Sequence, residues 1–162
     1  MSKITPITPN FAVAGALGAE DFAAIRAMGF KAVISNLPDG ESAAHPTAAQ
    51  EAQLAGAAGL AFRHIPTTKF DLFTERVVGG MHSALSEFPG PVLAHCASGM
   101  RSAAAWAGAA ARVQPADCVL DALQRAGFNM AALREELQEQ GGSGHAGPVP
   151  PALDAECTKD RT

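Results

Sequence analysis

Val92-Leu93-Ala94-His95-Cys96-Ala97-Ser98-Gly99-Met100-Arg101-Ser102-Ala103 runs from a short apolar stretch into a row of small residues, by way of a thiol, a glycine and a guanidinium. The apolar stretch suits a buried strand. The Ala-rich stretch after Arg101 suits a helix. The segment therefore predicts a strand, a loop and a helix, with Cys96 at the mouth of the loop. Successive N–H groups in such a loop can converge on one point, and the helix N-terminus adds its partial positive charge. A cysteine so placed is expected to ionise readily, and the thiolate is the reactive form. Gly99 lets the loop turn where a Cβ would clash. Arg101 offers a planar fork to an oxyanion, and Ser102 is within sequence reach to donate to the sulfur. Packing alone would make Cys96 a small buried hydrophobe. It does not explain His, Cys, Gly, Arg and Ser together between a strand and a helix, so we read a nucleophilic cysteine in an anion cradle.

The elements on either side set the fold class. Phe11–Ala14, Ala32–Ser35 and Leu60–Ile65 read as further short strands. Helices are predicted over Ala19–Met28, from a Thr47/Gln50 capping box to Ala58, over Leu72–Phe88 with Asp71 as cap, and over Ser102–Arg112. Two more follow, from Pro115 to Ala126 and from Met130 to Gln140. The first ten residues, with Pro6 and Pro9, read as a lead-in segment. Strands alternating with helices predict an α/β domain over residues 1–140, a mostly parallel sheet of four to five strands wrapped by helices. Residues 141–162, rich in Gly, Ser and Pro, read as a flexible C-terminal tail. In such sheets ligands sit beyond the carboxyl ends of the strands, which brings the cysteine loop and the turn Asn36–Glu41 to the same edge.

Composition narrows the partners. The net charge of −4 offers no basic face to nucleic acid or to an anionic membrane. No apolar run approaches the roughly 20 residues of a membrane span, and the N-terminus lacks the shape of a signal peptide. Three cysteines without paired spacing argue against a disulfide framework and for a reducing compartment, hence the cytoplasm. Cys118 reads as core and Cys157 as an incidental surface thiol. The histidines show no metal spacing, so neither a metal nor another cofactor is expected. His95 should point away from Cys96 across the strand and serve as a structural hydrogen-bonding group. His64 reads as packed. Trp106, Phe70 and Phe73 are assigned to the core ahead of a pocket rim.

His95-Cys96 with Gly99 and Arg101-Ser102 is similar to the signature of cysteine-dependent phosphatases. The Asn36-Leu37-Pro38-Asp39-Gly40-Glu41 turn and the Thr8-Pro9-Asn10-Phe11-Ala12-Val13-Ala14-Gly15 opening sharpen the likeness. Over Ile4 to Arg112 the chain resembles the phosphatase-like domain of bacterial beta-lactamase hydrolase-like proteins. The resemblance implies a fold like dual-specificity phosphatases, and association with persulfide dioxygenase or sulfide-oxidising modules. Family members often carry Arg where this chain has Leu37.

Two chemistries compete on these residues. Four residues separate Cys96 from Arg101; phosphatases of this type usually have one more, and rhodanese sulfurtransferases match the shorter loop. A smaller ring with one amide fewer suits a single sulfur atom better than a phosphoryl group with three oxygens. Ester cleavage also needs a proton donor, and the candidates, Asp71 and Asp39, have competing roles as helix cap and turn residue. The sequence thus places sulfur transfer first: Cys96 takes sulfane sulfur from thiosulfate or glutathione persulfide, and a thiol or cyanide collects it. Amides from Ala97, Ser98, Gly99, Met100 and Arg101 would hold the charge, with Ser98 and Ser102 as helpers. A phosphatase working through a phosphocysteine comes second, and a non-catalytic anion-binding module third.

Overall fold

The computed structural model describes residues 3–141 and 148–157. Five strands form one sheet: β1 (Ile4–Thr8), β2 (Phe11–Ala14), β3 (Ala32–Ser35), β4 (Ala61–His64) and β5 (Val92–His95), in the order β1-β2-β5-β3-β4. β1 and β2 form an antiparallel hairpin, and the other pairings are parallel. β1 falls in the expected lead-in segment. Pro6 hides it from a sequence reading, yet proline is tolerated there because β1 is an edge strand. The α/β, mostly parallel and helix-wrapped expectation holds.

Among the described residues six α-helices flank the sheet: α1 (Asp21–Ala27), α2 (Ala48–Ala58), α3 (Glu75–Glu87), α4 (Met100–Ala110), α5 (Ala116–Arg125) and α6 (Arg134–Gly141). α2 starts on the capping box expected from Thr47 and Gln50. α3 starts later than expected. Its cap position is Thr74, and Asp71 lies in the turn before it. Alternate strand residues face opposite layers. Ala12, Val33 and Leu93 pack with Phe22 and Ile25 of α1 and Ala55 of α2. Phe11, Val13, Ile34, Val92 and Ala94 pack with α3, α4 and α5.

α4 is buried from Ser102 to Ala110. Its small residues let α3 come close: a Cβ at Gly108 would sit 3.0 Å from Val78 and 3.3 Å from Phe73. Trp106 is the one large residue of that buried run. It stacks on Phe11 with ring centroids 5.7 Å apart and donates from Nε1 to the Ala152 carbonyl at 2.8 Å.

That last bond belongs to a stretch expected to be a flexible tail. Residues 148–157 instead lie on the core. Ala152, Leu153 and Ala155 are buried, and Gln114 bonds both Leu153 and Ala155. Cys118, buried on α5 as expected, pairs with Cys157 in a disulfide, Cα to Cα 5.4 Å. The expectation of no disulfide is corrected here. A pair separated by 39 residues, one member in a Gly/Pro-rich tail, has no spacing signature. The rest of the expected tail lies outside the described residues. No described helix is long and apolar enough to cross a membrane.

Candidate active site

The parallel strands end in register: Ala14, Ser35 and His64 flank one another through His95 and Ser35. The loops that leave them therefore share one edge, where ligands collect in parallel sheets. These loops carry Cys96, the Asn36–Glu41 turn, and the Ile65–Asp71 stretch.

Cys96 follows β5 directly. It is fully buried, so the thiol lies on the floor of the loop and not at its mouth. Ala97, Ser98 and Met100 are exposed around it. The Gly99 amide donates to Cys96 Sγ at 3.1 Å. Gly99 takes φ +93° as the first cap of α4, and its Cα lies against β2, with the Ala14 carbonyl 3.5 Å from where a Cβ would be. No side chain caps α4. The first-turn amides of Met100, Arg101 and Ser102 lack intrahelical acceptors for that geometric reason. They form the positive end of the cradle.

Arg101 is held from outside. Its Nη1 donates to the Thr67 carbonyl at 2.7 Å and to Glu41 Oε2 at 2.9 Å, and its Nη2 to Glu41 Oε1 at 2.5 Å. These bonds occupy one edge of the fork. They leave Nε and the second Nη2 hydrogen as the parallel pair that a two-oxygen anion needs. The Glu41 bond raises the guanidinium pKa, burial opposes it, and the nearby Cys96 adds to the rise. In return, the bond from Arg101 holds the Glu41 carboxyl below its ordinary range. Glu41 went unassigned in the sequence reading. Its signal is its place in the Pro38-Asp39-Gly40-Glu41 turn after β3, but only the fold brings that turn across a 60-residue separation to Arg101.

Ser102 does not serve the sulfur. Its hydroxyl donates to Asn36 Oδ1 at 2.8 Å, and Asn36 Nδ2 donates to the Ile65 carbonyl at 2.9 Å and to Thr67 Oγ1 at 3.3 Å. This buried network ties the cysteine loop to the ends of β3 and β4. On the opposite face His95 Nε2 lies 2.6 Å from Glu51 Oε1, both side chains buried. The side-chain direction expected from strand alternation is the observed one. His64 Nε2 lies 2.8 Å from the Leu37 carbonyl, a packed histidine as expected. Leu37 is itself buried.

Both expected proton donors are committed to other partners. Asp39 Oδ1 accepts from the Ala48 amide at 2.8 Å and so caps α2. Asp71 accepts from the Thr68 amide at 2.7 Å and from Arg76. Burial pushes the Asp71 carboxyl up, but the Thr68 and Arg76 bonds outweigh it and hold the group below the usual carboxylate range. An ionised carboxylate donates no proton. Among the described residues no three His, Cys, Asp or Glu side chains converge as a metal would require.

This arrangement has known relatives. The chain is 33% identical over 141 residues to a beta-lactamase hydrolase-like protein of Agrobacterium fabrum, covering 85% of this chain and 32% of that protein. It thus spans about a third of the length of that relative. A candidate phosphatase of Neisseria meningitidis superposes with a TM-score of 0.71 at 30% identity, over 85% of this chain and 97% of that one. A candidate phosphatase of Shewanella putrefaciens CN-32, at 21% identity and a TM-score of 0.58, covers 98% of this chain and 91% of its own and shares the fold. The family pattern for the phosphatase-like domain of beta-lactamase hydrolase-like proteins matches residues 3–113, from before the first strand to just past α4. With the Cys96 loop, the Asn36–Glu41 turn and the sheet they share all inside that span, the chain belongs to the beta-lactamase hydrolase-like family through its phosphatase-like domain.

Proposed function

We propose that the domain is a cysteine-dependent hydrolase of the phosphatase type, acting on phosphate monoesters. The observation that carries this reading is the juxtaposition of Cys96 Sγ, the Gly99 amide 3.1 Å away, and an Arg101 fork pinned by Glu41 and Thr67. The phosphatase-like family and the Neisseria relative support it. They reverse the order drawn from loop length, which placed sulfur transfer ahead of phosphoryl transfer.

In the proposed reaction the Cys96 thiolate attacks phosphorus. A P–S bond forms, the ester P–O bond breaks, and the leaving oxygen departs with the electron pair. Arg101 and the first-turn amides of α4 take up the charge on the equatorial oxygens. Water then attacks phosphorus, the P–S bond breaks, and phosphate leaves with the thiolate restored. Asp39 and Asp71 are bound elsewhere, so the leaving group must depart without a protein proton donor. Phenolates meet that condition far better than alkoxides. Because Cys96 is fully covered, the side chains over the loop must give way before a substrate atom reaches it.

Three observations favour other readings. The four-residue spacing and the missing acid suit sulfur transfer. There the thiolate attacks the outer sulfur of thiosulfate, the S–S bond breaks, and sulfite leaves unaided. A thiol then accepts the sulfur from the Cys96 persulfide. The full burial of Cys96 suits a non-catalytic anion-binding module. One experiment separates all three: intact-protein mass spectrometry after incubation with p-nitrophenyl phosphate and, separately, with thiosulfate. A phosphoryl adduct on Cys96, absent in Cys96→Ser, is expected. A gain of one sulfur instead moves the assignment to sulfur transfer. With no adduct from either donor, the domain is a binding module.

A further inference from the structure

Of the aromatic residues the sequence assigns to the core, Phe70 is 86% exposed, a correction, whereas Trp106 is fully buried. Part of the cover over Trp106 is the strap 148–157. Its short turn, Pro151–Leu153, lies against α3 and α4, and the Ala152 carbonyl accepts from the Trp106 indole at 2.8 Å. Gln114 holds the strap further on, donating to the Leu153 carbonyl at 2.5 Å and accepting from the Ala155 amide at 2.7 Å. The covalent tie is the Cys118–Cys157 disulfide. The strap thus braces the same helix whose first turn carries Arg101. Cys118 and the strap both lie beyond residues 3–113, the span of the family pattern.

Without that tie the strap is weakly held. Its buried apolar side chains are Leu153, Ala152 and Ala155, with Val149 partly buried beside them. One leucine and two alanines bury too little apolar surface to offset the backbone entropy of ordering the whole segment. The disulfide removes much of that cost by keeping the strap beside α5. Its two sulfurs are not equally open. Cys118 is buried on α5, while Cys157 is partly exposed. An incoming thiolate therefore has its access at Cys157.

We propose that Cys118–Cys157 is a reversible thiol–disulfide site, that its reductant is a dithiol, and that reduction releases the strap from Trp106 and α4. A thiolate of the dithiol attacks the Cys157 sulfur. The Cys118–Cys157 bond breaks, and the electron pair and a proton go to Cys118. The second thiolate of the dithiol attacks its own first sulfur, Cys157 leaves as a thiolate, and the dithiol becomes a cyclic disulfide. Two electrons pass to the protein. A monothiol would instead leave a mixed disulfide that the neighbouring Cys118 reverses, whereas a dithiol resolves it within one molecule. Reduced Cys118 stays as a small buried hydrophobe on α5, so the core survives. Cys96 takes no part, and the inference is independent of the phosphatase reading.

Trp106 is the one tryptophan of the chain, and there is no tyrosine, so its indole reports strap docking directly. The test uses the full chain carrying Cys96→Ser, oxidised and then reduced with dithiothreitol. Exchange of the Trp106 indole N–H, followed by NMR, should speed up on the order of a hundredfold on reduction, the effect of opening a loop of about 15 residues, roughly the reach from the end of α6 to Cys157. Trp106 emission should shift to the red, and oxidised glutathione should reverse both changes. Adding Cys157→Ser should give the reduced-state behaviour in either buffer with an unchanged far-ultraviolet circular dichroism spectrum. Exchange and emission that ignore reduction overturn the switch, because the strap then docks without its bond. Loss of the helical signal on reduction also overturns it, because the bond then holds the whole domain. A bond that resists dithiothreitol in the folded protein, or iodoacetamide labelling of Cys118 and Cys157 in the oxidised protein, overturns the site itself.

Discussion

The Cys96–Ser102 loop and the Pro66–Thr74 loop leave the same edge of the sheet, and they spend their polar groups in opposite directions. In the first, the Gly99 amide points at the buried sulfur and the uncapped start of α4 faces the same space. In the second, the carboxylate of Asp71 folds back on Thr68 and Arg76, in its own neighbourhood. One loop gathers positive charge for a guest; the other consumes its own acid to hold a turn. The contrast teaches that this edge gathers a thiol, a guanidinium and helix-start amides in one loop and spends the acid of the other on its own turn; under the proposed function the edge therefore supplies no proton donor. Its chemistry is set by what the leaving group can do alone.

The strongest way to break that contrast is at the sulfur. Cys96→Ala should lower turnover of p-nitrophenyl phosphate by at least about a thousandfold, as loss of a nucleophile does in comparable enzymes. Residual rates near wild type would remove the thiol from the reaction. Next is the fork. Arg101→Lys keeps the charge but loses the planar pair of donors, and kcat/KM should fall on the order of a hundredfold. Steady-state kinetics on a variant with an unchanged circular dichroism spectrum measures it.

A smaller effect sharpens the comparison at Glu41. Glu41→Gln should cost about tenfold in kcat/KM, because a charge-assisted bidentate pair becomes a weaker neutral one. The pH dependence has a definite sign. The folded-state pKa of Glu41 lies below the ordinary value of 4.5. The contribution of the pair is therefore fully present above about pH 4.5 and is lost as the pH falls through the lowered value. Wild type and Glu41→Gln should converge at the acid end of a pH–rate profile; a constant gap there would show that Glu41 acts some other way.

The smallest effect belongs to the second loop. Asp71→Asn should change kcat on p-nitrophenyl phosphate by less than about twofold. Its cost in stability should stay under about 1 kcal/mol, since a partly exposed ion pair contributes little. Urea melts and initial rates on one preparation check both. If the variant were to lose activity on an alkyl phosphate while keeping it on the aryl ester, Asp71 would be a general acid after all.

Much of this molecule is legible from residue order alone. The strand before Cys96, the helix after it, the Thr47/Gln50 capping box and the opposed directions of His95 and Cys96 follow from patterns within a few residues. Short-range patterns are also where such reading stops. β1 is hidden by Pro6, because nothing local says that this strand lies at an edge. Asp71 looks like a helix cap, yet α3 begins at Glu75. Ser102 looks like a partner for the sulfur until Asn36, 66 residues away, takes its hydroxyl.

Residue order by itself determined the loop thiol, the guanidinium and the sheet edge they share, because a strand, a tight loop and a helix start are encoded by contiguous side chains and backbone freedom. Tertiary structure alone decided that Glu41 and Thr67 hold the fork, that Asp39 and Asp71 are bound elsewhere, and that the C-terminal stretch closes over Trp106. Each of these joins groups far apart along the chain. Which distant groups meet is settled by how the layers bury their apolar faces, and that is a property of the whole packed core.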